Sequence, residues 1–165
     1  MERGFIKSLN FVRPRLYMKL YNAYLKKMGV DIQGNASFIH PTVRFDGKNY
    51  SMTHIGNEVI ISRDVYLLIH DYSITNGLKA IGEILPKDAY WLKDIYIGEN
   101  CFIGARAMIL PGTRIGKNCI VGVGSVVKGN IPDNSVVMGN PAKILANTIE
   151  WSNRKKNIND FIFNR

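Results

Sequence analysis

Aliphatic residues recur at every sixth position through the middle of the chain. From Ile97 the sequence reads IGENCF, IGARAM, ILPGTR, IGKNCI, VGVGSV and VKGNIP, so Ile97, Ile103, Ile109, Ile115, Val121 and Val127 open successive units. The second place holds Gly98, Gly104, Gly116 and Gly122; the fifth is mostly small, with Cys101, Ala107, Thr113, Cys119 and Ser125, and Ile131 in the last unit. An earlier run in the same phase, IGNEVI, ISRDVY and LLIHDY, begins at Ile55, Ile61 and Leu67, and IHPTVR from Ile39 is a degenerate member. A helix has a period of 3.6 and a half-buried strand a period of 2, and six fits neither alone. It fits a short strand and a corner, repeated. The first and fifth places then point inward, glycine at the second supplies the backbone freedom of a corner, and three sides close one coil. Coils stack as parallel strands ~4.8 Å apart, each dependent on its neighbours. The expectation is an all-β solenoid.

Two stretches depart from this period. Residues 46–54 (DGKNYSMTH) form a short break, and residues 73–94 (SITNGLKAIGEILPKDAYWLKD) a long excursion carrying Tyr90 and Trp91. Loops extruded from a rigid scaffold are where function concentrates. His70 stands directly before the excursion, in a unit whose fifth place is Asp71 rather than an uncharged residue. A local rule broken at one place marks a candidate site, and a neutral imidazole there is suited to take a proton from a hydroxyl near neutral pH.

Both ends leave the repeat. Residues 14–28 read as a helix, with Pro14 suited to its first turn and Gly29 to its C-terminal cap. Leu16, Leu20 and Tyr24, with Tyr17, Tyr21, Leu25 and Met28, form an apolar stripe expected to cap the first coil. After about residue 145 the repeat gives way to ANTIEWSNRKKNINDFIFNR, where Trp151, Phe161, Ile162 and Phe163 need a surface to pack on and a short helix is expected. The organisation expected is a basic amphipathic helix over 1–29, the repeat domain over 30–146, and a tail over 147–165.

Charge adds one feature. Lys and Arg number 22 against 13 Asp and Glu, a net +9. Residues 1–30 hold seven basic and one acidic side chain, and residues 150–165 four and two, so the middle is almost neutral. A basic end fits an anionic membrane face as well as a solvated helix; no nucleic-acid reading motif accompanies it. No apolar run reaches the ~20 residues of a membrane helix, and the basic N-terminus lacks a signal-peptide core. A cytoplasmic location is expected, with contact at the inner membrane face left open. Cys101 and Cys119 lie 18 positions apart, one coil, and are expected to stack inside as buried thiols.

The run IGENCFIGARAMILPGTRIGKNCIVGVGSVV, followed by IPDNSVVMGNPAKIL, resembles the hexapeptide-repeat acyltransferases, and most closely their sugar and polysaccharide O-acetyltransferase branch. The resemblance spans about residues 30–146. It implies a left-handed parallel β-helix, a homotrimer with active sites between subunits, and acetyl-CoA as co-substrate with no metal. It implies His70 as general base toward a saccharide hydroxyl in a ternary complex. It implies coenzyme contacts at Ala105, Val123, Gly124, Lys128 and Lys143. Asp71, Tyr72, Asn49 and Trp91 are the candidates for the acceptor site. N-acetylation of an amino sugar, a zinc site built from His40, His54 and His70, and a non-catalytic scaffold are the competing readings.

Overall fold

The computed structural model describes residues 6, 9–10, 13–47, 50–158 and 161. Helix α1 (Pro14–Lys27) leads into the first coil, whose strands are β1 (Asp31–Ile32), β2 (Phe38–Ile39) and β3 (Arg44–Phe45). A single 3₁₀ turn over Tyr50–Met52 precedes the second coil: β4 (Thr53–Ile55), β5 (Ile60–Ile61) and β6 (Tyr66–Leu67). The excursion holds β7 (His70–Asp71), α2 (Ser73–Ala80) and β8 (Trp91–Leu92). Two further coils follow: β9 (Ile95–Ile97), β10 (Phe102–Ile103) and β11 (Met108–Ile109), then β12 (Arg114–Ile115), β13 (Ile120–Val121) and β14 (Val126–Val127). The last turn comprises β15 (Asn130–Ile131) and β16 (Ser135–Gly139); β17 (Ala142–Asn147) and α3 (Thr148–Lys155) end the described chain.

Every third strand joins the same sheet. The first sheet has the order β1-β4-β9-β12-β15, the second β2-β5-β10-β13-β16 with β17 outside β16, and the third β3-β6-β11-β14. All pairings within these faces are parallel except β16 with β17. The column is therefore three-sided, as the six-residue rhythm requires. The first places stack into ladders, Ile32–Ile55–Ile97–Ile115–Ile131 on one face and Ile39–Ile61–Ile103–Val121–Val137 on the next. The small fifth places Cys101, Ala107, Thr113, Cys119 and Ser125 are buried beside them. The two cysteines are free and stacked, Cys119 N lying 3.4 Å from Cys101 Sγ. Contact with Cys119 and burial both push the Cys101 thiol up, so it stays protonated.

The glycine expectation is corrected. The second-place glycines do not take the left-handed backbone region; the fourth places do, at Glu58, Asp64, Asn100, Arg106, Gly112, Asn118 and Gly124. Glycine at the second place serves close approach instead, because a Cβ on Gly98 would lie 2.5 Å from the Gly116 carbonyl oxygen of the next coil. Ile131 is corrected too. It pairs with Ile115 in the first-place ladder, because the chain takes only four residues from Val127 to reach it.

Helix α1 closes the start of the column. Tyr17, Met18, Tyr21, Asn22 and Leu25 are its buried face. Leu16 (38% exposed) and Met28 (41%), both expected in the stripe, fall outside this buried face. Tyr17 Oη donates to Ile39 O (2.6 Å), and Asn22 exchanges two hydrogen bonds with the Ala36 backbone. Lys26 Nζ donates to Gly34 O. These satisfy first-coil groups that have no coil beneath them. The basic residues Arg13, Arg15, Lys19, Lys26 and Lys27 face outward. No described helix is long and apolar enough to cross a membrane. At the other end Asn147 caps α3 through the Ile149 and Glu150 amides, and α3 buries no residue. Ile162 and Phe163 lie outside the described residues.

Candidate active site

The chain leaves the column just after the inward Leu67. Leu68 N still bonds Ile109 O, and Ile69 is still buried. His70 and Asp71 then pair antiparallel with Leu92 and Trp91, and Lys93 N returns to Ile69 O at 2.9 Å. The excursion thus has a two-stranded neck, with His70 in its first strand.

Asp46 lies beside this neck. It follows β3, its amide bonds Leu67 O, and its Oδ2 accepts from the Ile69 and His70 amides at 3.1 and 3.2 Å. The same oxygen meets His70 Nδ1. The carboxylate is 14% exposed and the imidazole 36%. With Nδ1–H donating to Asp46, Nε2 keeps its lone pair for another proton. A fixed tautomer with an open nitrogen is the arrangement of a general base.

His70 stands at the base of the excursion, in the first strand of its neck; Asp46 was not among the residues that the sequence singled out. The available signal was a carboxylate at a second place, where no unit of the aligned runs carries an acidic residue. Asp71 does not orient the histidine. Its Oδ1 accepts from the Ser73 amide at 2.8 Å, a bond that holds its carboxyl below the usual range. Tyr72 and Tyr90 stand edge-on to the imidazole at 5.5 and 6.5 Å between centroids, and 4.8 Å from each other. Tyr90 is a further wall that the site reading had not included. Trp91 is exposed, with Lys93 Nζ 4.9 Å from its ring centre. Asp71, Trp91, Lys93, Leu110, Pro111 and Lys128 line a cleft of about 180 Å³ beside the neck.

The expected coenzyme residues fall into separate places. Lys128 is in that cleft. Ala105, Val123 and Gly124 sit at a different corner, between the second and third sheets, where Gly124 N bonds Ala105 O. Ala105 and Pro111 belong to neighbouring corners of the same coil, on either side of β11. Lys143 lies on β17 opposite Met138. Asn49 lies outside the described residues.

The three histidines do not converge. His40 Nδ1 contacts Thr42 Oγ1 at 2.9 Å. His54 bridges Asp31 (2.9 Å) and Asp94 (3.1 Å) and stacks on Tyr96, with the Arg114 guanidinium on that ring's other neighbour position 3.8 Å from its centre. Among the described residues no group of three His, Cys, Asp or Glu is placed to hold a metal.

Comparison with known proteins follows the same lines. Residues 94–129 match the family model "Bacterial transferase hexapeptide (six repeats)". The galactoside O-acetyltransferase of Lactococcus lactis is 33% identical over 170 residues, covering 92% of this chain and 72% of the relative. Protein CapG of Staphylococcus aureus is 37% identical over 134 residues, covering 78% and 75%. Among solved structures, a galactoside acetyltransferase in complex with coenzyme A superposes with a TM-score of 0.60 at 22% identity, covering 99% of this chain and 86% of that one.

Proposed function

Because this chain is an acyltransferase of the hexapeptide-repeat family, we propose that it transfers an acetyl group from acetyl-CoA to a hydroxyl of a saccharide or polysaccharide precursor, with His70 as general base. The reading rests above all on the contact between Asp46 and His70 Nδ1 at the point where the column opens. Nε2 accepts the proton of the acceptor hydroxyl as its oxygen attacks the thioester carbonyl carbon. The carbon–sulfur bond then breaks, and the imidazolium returns the proton to the departing thiolate. Asp46 holds the tautomer and stabilises the charge that forms on the ring. The galactoside O-acetyltransferase of Lactococcus lactis carries a sugar hydroxyl acceptor in its name, which supports the saccharide class.

The residues suit the coenzyme. Lys93 and Lys128 supply positive charge beside Trp91, fitting a phosphorylated ligand, and the small Ala105 and Gly124 leave room for a pantetheine arm. These two sets lie at different corners of one column, which favours a groove shared between neighbouring copies. That is the support for a homotrimer with sites between subunits. The coil is read as left-handed, the sense that the family resemblance implies. Asp71, Tyr72 and Trp91 are read as acceptor-side walls, Lys143 as a coenzyme contact, and the domain limits remain 1–29, 30–146 and 147–165. The free, buried thiols suit a cytoplasmic setting.

The test is release of free thiol from acetyl-CoA with hydroxyl and amino sugars as acceptors. Acetyl esters in the product confirm the reading. An amide product would move it to N-acetylation, and no thiol release with any acceptor, together with no coenzyme A affinity, would end it.

A further inference from the structure

A second cavity, of about 400 Å³, opens on the outer side of β3 and β6. It is lined in part by Arg44, Asp46, Tyr50, Tyr66 and Leu68, and Asp46 is the same residue that holds His70. Arg44 and Asp46 flank the inward Phe45, so they share one face of the strand about 7 Å apart. Asp46 is therefore shared between the wall of the cavity and the contact with His70.

Arg44 is exposed and forms no ion pair with any described acidic residue. Its guanidinium carbon lies 5.5 Å from the centre of the Tyr66 ring, which is also its register partner on the next coil. That contact orients the planar group while leaving its five donors unspent. Asp46 forms no ion pair with it; the partners of its Oδ2 are two amides and the imidazole. Tyr50, stacked on Phe45 at 5.3 Å, lends a second aromatic wall. The cavity is large enough for a small ligand. Its chemistry combines aromatic faces for a sugar ring with one oriented fork for a planar or tetrahedral anion.

We infer that this cavity extends the acceptor site beyond the walls at the neck, and that it selects saccharides carrying a negative charge, a carboxylate or a phosphate, bound by Arg44. The inference rests on the acyl-transfer reading and narrows its substrate class. Arg44 is a specificity residue and takes no part in the proton transfer.

The experiment measures binding by ligand-observed NMR, using the full chain without coenzyme. The probes are a hexuronate-terminated trisaccharide, its neutral hexose counterpart, glucose 1-phosphate, glucose and inorganic phosphate. At least one anionic sugar should bind tenfold or more tighter than its neutral counterpart. The carboxylate and phosphate arms identify which anion is read. Arg44→Gln should abolish the preference, Arg44→Lys should keep part of it, and both should leave the coenzyme A affinity and the thermal midpoint unchanged. Equal binding of charged and neutral sugars, a preference that survives Arg44→Gln, or inorganic phosphate binding as tightly as the sugar phosphate would each overturn the inference. His70→Ala should keep the binding preference. A preference that persists in a protein unable to transfer acetyl to any acceptor refutes the catalytic reading and leaves the subsite standing. Transfer to neutral acceptors without any preference refutes the subsite alone.

Discussion

Asp46 Oδ2 meets two backbone amides and an imidazole nitrogen at once, so Asp46→Asn disturbs both the base and the neck that carries it. We expect kcat to fall on the order of 10²- to 10⁴-fold, with the KM for acetyl-CoA little changed, because the asparagine amide no longer enforces the productive tautomer. His70→Ala should fall at least as far, with the oligomer intact; steady-state kinetics with size-exclusion light scattering checks both. Retained activity in either variant would remove the proposed proton transfer. His70 was legible because it interrupts a rhythm that neighbouring units keep. Asp46 was not, since it lies 24 positions upstream in the first break. The two meet only because that break lengthens the coil, setting Phe45 against Leu67 rather than against a residue 18 positions on. A single sequence shows the period, but not the register on the far side of an insertion. Tyr90 escaped for the same reason, since a loop with no period carries no statement of which way its side chains return.

The repeat prescribed its elements well because each six-residue unit states both its strand and its inward side. It said less about corners. Gly98→Ala pushes a Cβ against the Gly116 backbone at 2.5 Å, and overpacking of that kind costs about 1–3 kcal/mol. Gly77→Ala in α2 meets nothing within 4 Å and should stabilise by about 0.5–1 kcal/mol through helix propensity. Paired thermal melts of the two variants should move in opposite directions. The left-handed fourth places were invisible to a reading centred on glycine, because asparagine, aspartate and even arginine fill most of them. In α1 the helical spacing was clear, but the buried face turned slightly, replacing Leu16 and Met28 with Met18 and Asn22. A polar residue there made no sense in an apolar stripe; its two bonds to Ala36 explain it. Asn22→Leu should cost about 1–3 kcal/mol by stranding that backbone pair, measurable by urea denaturation.

At the scale of the whole molecule, the proposed coenzyme residues stand on two corners of the column, and the proposal of a site shared between copies makes a direct prediction. Mixing His70→Ala protein with a Val123→Glu variant, each inactive alone, should restore part of the activity after subunit exchange, because some interfaces then pair an intact base with an intact opposite corner. No recovery in verified mixed oligomers would confine the site to one chain. The sequence showed the column and its opening, whereas assembly lay in how copies meet, which no period within one chain encodes. The column is also covered at its two ends, by α1 over the first coil and by the reversed strand β17 along β16 of the second sheet. Parallel strands stacked in register can otherwise keep recruiting more of themselves, and nothing in the six-residue rhythm says when to stop. The helix and the hairpin are thus the terminators of a structure that is open-ended by design, and a protein stripped of α1 would bare one tip and be free to pair end to end with another copy there.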